Sequence, residues 1–131
     1  DLREAALTAQ AHGFVDRLPQ GYQARVGPSG AALSGGEVQR LCIARALVAR
    51  RRVLLLDEAT SAIDGQTEQR LFRALRGLQE RPTVFFVSHR FETLKHADRV
   101  LVLTADRKAF VGTHNALLED ESGYRRLFGG R

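Results

Sequence analysis

Apolar and polar positions along this chain switch between a helical and a strand period, and the switches mark its elements. Over residues 2–12 alanine and leucine recur at helical spacing, and turn formers follow at Pro19, Gly21, Gly27, Pro28 and Gly30. A second helix is expected over 34–50, with Val38, Leu41, Cys42, Leu47 and Val48 as its apolar positions. Residues 53–56 are an unbroken apolar run, which predicts a strand covered on both faces. Leu71, Leu75 and Leu78 fall at i, i+4 and i+7 of a third helix. Residues 83–87 and 99–103 read as two further strands. A tight turn over 104–107 leads into 108–111, which predicts an antiparallel hairpin, and short helices near 113–119 and 123–128 close the chain.

Strands alternating with helices put the chain in the α/β class: a parallel sheet with flanking helices, preceded by a small helical lobe. Its 131 residues suit one domain, able to bury about two-thirds of its unfolded surface. Hydrophobic content of 44% and charged content of 27% are ordinary for a globular protein in water. No run approaches the ~18 apolar residues of a membrane span, and Asp1-Leu2-Arg3-Glu4 does not read as a secretory signal. The single cysteine, Cys42, lies in the apolar pattern and is expected to be a small buried hydrophobe. The net charge of +5 comes almost wholly from arginine. Its densest run, Arg50-Arg51-Arg52, sits at a predicted helix end, where cations suit the dipole, so a solvated turn is expected. No aromatics alternate with the arginines as a single-strand stacking platform would require, and no nucleic-acid partner is expected.

The candidate chemistry lies between Leu33 and His89. Ser34-Gly35-Gly36-Glu37 has the S-x-x-E form of a capping box, which accounts for Ser34 and Glu37. It does not account for two consecutive glycines, each costing about 1 kcal/mol in a helix relative to alanine. Glycines at a helix start let an anion approach bare N–H groups, so phosphate contact is expected over Ser34, Gly35, Gly36 and Glu37. Asp57 and Glu58 stand at the carboxyl end of the apolar strand, where open α/β sheets place ligands. Adjacent carboxylates call for a cation or for split roles. Asp57 is expected to hold Mg²⁺ through water, and Glu58 to orient and polarise an attacking water. His89 follows the strand 83–87 in the same way and is expected to contact a γ-phosphate. The loop that would cradle that nucleotide, G-x-x-x-x-G-K-[ST], is absent from the sequence. The only lysines, Lys95 and Lys108, follow Leu94 and Arg107, and the nearest spacing match, Gly30 to Gly35, ends in Gly36 and Glu37.

Four of these segments carry a family resemblance. Leu33-Ser34-Gly35-Gly36-Glu37 resembles the signature motif of ATP-binding cassette (ABC) ATPases, and residues 53–58 resemble their Walker B strand with its catalytic glutamate. Ser61-Ala62-Ile63-Asp64 is similar to their D-loop, and Ser88-His89-Arg90 to their switch-histidine loop. Each motif alone is weak, but four in register are specific. The stretch 14–22 resembles the helical subdomain of exporter-type members, and 97–103 with Gly112-Thr113-His114 resembles their C-terminal end. Two departures stand out: Glu37 replaces the usual glutamine, and Gly27-Pro28-Ser29-Gly30 replaces a Gly-Glu-Arg-Gly run.

The resemblance implies a partial P-loop NTPase-like fold, the C-terminal half of an exporter-type nucleotide-binding domain. Residues 1–50 correspond to the helical signature subdomain and 51–131 to the rest of the ATPase core, including its hairpin and last helices. ATP and Mg²⁺ are the implied cofactors. Ser34, Gly35, Gly36 and Glu37 would contact ATP held by a second nucleotide-binding domain, and Ser61 and Asp64 would lie at that dimer contact. Glu58 and His89 would be catalytic and Asp57 the metal residue, acting on ATP held by this domain's own P-loop. The further implied partner is a transmembrane domain, which would place the chain at the cytoplasmic face of the cell membrane. Without a Walker A segment the chain alone is expected to be inactive. An ABC-type ATPase of DNA maintenance or repair is the competing enzyme class, but Ala59-Thr60-Ser61 has the exporter form. A non-catalytic interaction module is the other alternative.

Overall fold

The structure, a computed structural model, describes residues 1–27, 30–119 and 123–128. Pro28 and Ser29, the middle of the departure at 27–30, lie outside the described residues. The chain divides into two compact units, Asp1–Val87 and Ser88–Arg131.

In the first unit Asp1 caps α1, Leu2–Thr8, by accepting a 3.0 Å hydrogen bond from the Arg3 N–H. The helix expected over 2–12 stops early because Gln10 adopts φ 57°, a left-handed value that no helix continues through. A short α2, His12–Val15, follows, and Gly21–Gln23 forms one 3-10 turn. Buried Ala5 and Ala6 let α1 lie against α3, Gly35–Val48. After α3 the arginine run makes a solvated turn: Arg50, at φ 46°, reaches Glu4 (3.6 Å) and Glu80 (3.8 Å) through exposed side chains.

Strand β1, Val53–Asp57, pairs in parallel with β2, Thr83–Val87, in register from Val53↔Thr83 to Asp57↔Val87. The crossover between them contains α4, Gly65–Arg76, whose stripe of Glu68, Leu71, Phe72 and Leu75 is buried. The core joins Ile43 and Ala44 of α3, Leu54 and Leu56 of β1, and Leu71, Phe72 and Leu75 of α4. Only that face of β1 is covered. Leu55 is 74% exposed and Phe85, its register partner, 60%, with Val53 and Val87 also exposed. The expectation of a strand buried on both faces is therefore corrected: α3 and α4 supply one layer, and an apolar run reports residue type rather than the neighbours present. Cys42 is corrected too. It is exposed, because its neighbours Ile43 and Ala44 are the residues that α3 turns to the core.

The second unit holds α5, Phe91–Leu94, the strands β3, Val100–Leu103, and β4, Ala109–Gly112, and the helices α6, His114–Glu119, and α7, Tyr124–Phe128. β3 and β4 form the expected antiparallel hairpin, in register from Val100↔Gly112 to Leu103↔Ala109. Its turn is closed by Arg107 N–H donating to the Thr104 carbonyl at 3.0 Å, with Arg107 at φ 63°. Thr93, Leu94, Val100, Val102, His114, Leu117 and Tyr124 are buried. His114 Nδ1 lies 2.8 Å from the Tyr124 hydroxyl, and the Phe91 ring packs 4.7 Å from the His114 ring. Burial pushes the His114 pKa down and that of Tyr124 up, so the pair stays neutral at pH 7.

Candidate functional site

Helix α3 begins as the sequence predicts, with a capping box. The Glu37 N–H donates to Ser34 Oγ at 3.3 Å, while the Ser34 N–H and hydroxyl both donate to Glu37 Oε2 at 2.8 Å. Those two donors hold the Glu37 carboxyl below the usual carboxylate range, so it stays ionised and folded back on the cap. The extra negative charge of Glu37 is therefore compensated locally. Ser34 and Gly35 are exposed at the helix start, and Gly36 is half-buried.

The two glycines have different reasons to be there. A Cβ on Gly36 would lie 2.7 Å from the Ala62 carbonyl oxygen, whereas one on Gly35 would make only an ordinary 3.4 Å contact with Ala62 Cβ. Gly36 is explained by the close approach of the turn after β1, and phosphate contact is not needed to account for it. Capping and that approach leave only Gly35 without a structural reason.

At the carboxyl end of the parallel pair, Asp57 is exposed and Glu58 half-buried. Glu58 takes φ 47°, a left-handed conformation costing about 1–2 kcal/mol in a residue with a Cβ. Both of its backbone groups are engaged. Its N–H donates to the Val87 carbonyl at 3.1 Å, and its carbonyl accepts from the Ser61 N–H at 3.2 Å. Glu58 Oε1 is shielded from solvent. The turn thus sets two neighbouring carboxylates in unlike surroundings, one open to water and one enclosed. Among the described residues no three acidic, histidine or cysteine side chains converge as a metal cage. A lone exposed carboxylate fits Mg²⁺, which keeps several waters and commonly takes one or two protein carboxylates beside phosphate oxygens.

Ser61 and Asp64 end this turn. Asp64 caps α4 by accepting from the Thr67 N–H at 2.9 Å, and that bond holds its carboxyl below the usual range. A depressed folded pKa gives stability that is fully present above the unfolded aspartate value of about 3.9 and is lost as pH falls through the folded one. Asp64→Ala is expected to lower the urea midpoint at pH 7, and Asp64→Asn to keep most of it, since asparagine also caps. The difference between wild type and Asp64→Asn should shrink in acid. Equal midpoints for wild type and Asp64→Ala at pH 7 would show that the cap contributes nothing.

His89 is exposed and belongs to the second unit, two residues past the last residue of β2 in sequence. Its loop is shaped by Ser88 Oγ accepting from the Arg90 N–H at 3.0 Å, just ahead of α5.

Two residues of this site were missed in the sequence. Gln39 donates through Nε2 to Ser61 Oγ (2.8 Å) and to the Glu58 carbonyl (3.2 Å), and its Oε1 accepts from the Ala62 N–H (2.8 Å). Arg40 donates to the carbonyls of Gly36 (3.2 Å) and Gln10 (3.2 Å) and lies 5.0 Å over the Phe14 ring, tying α3 to the N-terminal lobe. The signal was available for Gln39. It follows Gly36 by three positions, so the two share a helix face, and a polar residue beside a close-approach glycine is placed to bond whatever approaches.

Comparison with known proteins bears on these segments together. A family model described as ABC transporter matches residues 2–61. The chain is 45% identical over 128 residues to the uncharacterized ABC transporter ATP-binding protein YknU of Bacillus subtilis, covering 98% of this chain and 22% of that protein. It is 41% identical over 128 residues to an ATP-dependent lipid A-core flippase of Desulfotalea psychrophila, again covering 98% and 22%. A solved bacterial Atm1-family ABC exporter with ATP bound matches at a TM-score of 0.88 and 40% identity, over 98% of this chain and 23% of that one. The chain therefore spans about a fifth of the length of these relatives.

Proposed function

This chain belongs, as a segment, to the ATP-binding domains of exporter-type ABC transporters, and on that basis we propose that it forms part of an ATPase driving transport across a membrane. Its own phosphate-cradling loop comes from protein outside these 131 residues, and without that loop the chain does not turn over ATP. The observation that carries this reading is the bare sheet face. Parallel strands are ordinarily covered on both sides, yet Val53, Leu55, Phe85 and Val87 are all more than half exposed, next to the carboxylates that end β1. A layer bearing the P-loop would cover that face and bring phosphates to its carboxyl end.

In this assembly Ser34, Gly35, Gly36 and Glu37 meet ATP held by a second ATP-binding domain, with Ser61 and Asp64 along the contact. Asp57 would hold Mg²⁺ through water, and the ion would supply charge neutralisation at the phosphate oxygens. Glu58, enclosed and fixed by its turn, orients and polarises the attacking water, and His89 contacts the γ-phosphate. Among the described residues no helix is long and apolar enough to cross a membrane. The membrane path belongs to a transmembrane partner domain, with this chain at the cytoplasmic face.

Mg²⁺-ATP titrated calorimetrically into the chain alone is expected to give no saturable heat. The same titration with an added P-loop-bearing half of an exporter ATP-binding domain is expected to show binding. Tight binding by the chain alone would overturn the reading, because it would require a phosphate site within residues 1–131.

A further inference from the structure

We propose that Gln39 is a positioning residue that locks the start of α3 to the Glu58 turn, so that the nucleotide contact on the helix and the water-activating carboxylate move as one body. The inference rests on the proposed ATPase function for its consequence, but its geometry stands on the structure alone. Gln39 commits its amide to one turn, using both donor and acceptor on three of its groups: the Glu58 carbonyl, the Ser61 hydroxyl and the Ala62 N–H. Three residues earlier, Gly36 meets the Ala62 carbonyl with no room for a Cβ. The helix and the turn are thus joined on one face by steric contact and by hydrogen bonds, about one helical turn apart.

That joint acts on a strained residue. Glu58 sits at φ 47°, a conformation that persists only where its surroundings over-determine it. The Val87 carbonyl fixes its N–H, and the Ser61 N–H together with Gln39 Nε2 fixes its carbonyl. Gln39 is the only one of these partners that comes from α3. A shift of α3 when phosphate docks on Ser34 and Gly35 is therefore transmitted to Glu58 through the Gln39 amide. Since Ser34–Gly36 face ATP held by the partner domain while Glu58 acts on ATP held by its own, the amide couples two nucleotide sites.

Two variants separate the parts of the joint. Gln39→Leu keeps the approximate volume and removes all three bonds. Gln39→Glu keeps the acceptor for the Ala62 N–H but sets an anion against the Glu58 carbonyl. In NMR hydrogen exchange on the chain itself, Gln39→Leu is expected to speed Ala62 amide exchange about tenfold more than it speeds the core amides of α4 and β1, and to move the Glu58 amide resonance. Gln39→Glu is expected to keep Ala62 protected and still move Glu58. A merely structural glutamine would change all amides by one common factor and leave the Glu58 resonance in place, which would overturn the proposal. In the ATPase reassembled with the P-loop half, Gln39→Leu is expected to lower kcat by about tenfold to a hundredfold, the range of a misplaced reacting group. KM should stay within about twofold and the cooperativity of ATP use should fall. Unchanged kcat and cooperativity would likewise overturn it. A wild-type assembly with no turnover would sink the ATPase reading instead, and the exchange experiment would still decide the role of Gln39.

Discussion

Glu58→Gln, in the ATPase reassembled from this chain and a P-loop-bearing half, is expected to lower kcat by at least about a hundredfold, the low end of what a positioned base contributes. A hundredfold corresponds to about 2.7 kcal/mol of lost transition-state stabilisation. Mg²⁺-ATP affinity should change only a few-fold, because the substitution leaves Asp57 and the helix start of α3 untouched. Stability should also hold. Glutamine has nearly the size of glutamate, and the cost of the left-handed backbone at φ 47° falls on either side chain alike. This separates chemistry from folding. Glu58→Gly gives the complementary case: turnover is lost as well, but glycine tolerates positive φ, so the melting temperature should rise or hold. A Glu58→Gln protein that turns over ATP at the wild-type rate would remove Glu58 from the mechanism. If it instead fails to bind Mg²⁺-ATP, the carboxylate belongs to ground-state binding and not to water activation.

How far the sequence carried this picture depends on what each pattern can report. Local chemistry was legible. The S-x-x-E pattern at Ser34 forms the capping box, the apolar run ends in a strand at Asp57, and the turn after Leu103 closes the hairpin. These depend on residues a few positions apart. The end of the helix expected over 2–12 was not legible, because alanines continue past Thr8 at Ala9 and Ala11 while Gln10 turns left-handed. Coverage of β1 was not legible either. Val53 and Leu55 are as apolar as Leu54 and Leu56, and only the packing of α3 and α4 tells the two faces apart. Gln39 falls between these cases. Its position on the Gly36 face could be counted, but its partners lie across a chain separation of about twenty residues, which no local pattern encodes.

The same limit explains the two glycines, and Gly36→Ala tests the explanation with the largest expected structural effect. A Cβ at 2.7 Å from the Ala62 carbonyl oxygen is closer than packed side chains tolerate, and the neighbour is backbone, which has no rotamer to move. Either the start of α3 or the turn bearing Glu58 must give way. Overpacking of this kind costs about 1–3 kcal/mol, offset by about 1 kcal/mol of helix propensity gained over glycine, so the net loss is up to about 2 kcal/mol. Gly35→Ala meets only an ordinary contact and should keep the melting temperature or raise it. Function should be lost in both, by different routes. In the reassembled ATPase, Gly36→Ala is expected to lower kcat through the displaced Glu58 turn. Gly35→Ala is expected to weaken the pairing of the two ATP-binding domains around nucleotide, measured as the concentration dependence of turnover. If Gly36→Ala leaves both melting temperature and kcat unchanged, the close approach to Ala62 is not what fixes this residue. If Gly35→Ala pairs and turns over normally, bare glycine at the helix start is not needed for phosphate, and the trans contact must rest on Ser34 and the backbone N–H groups alone.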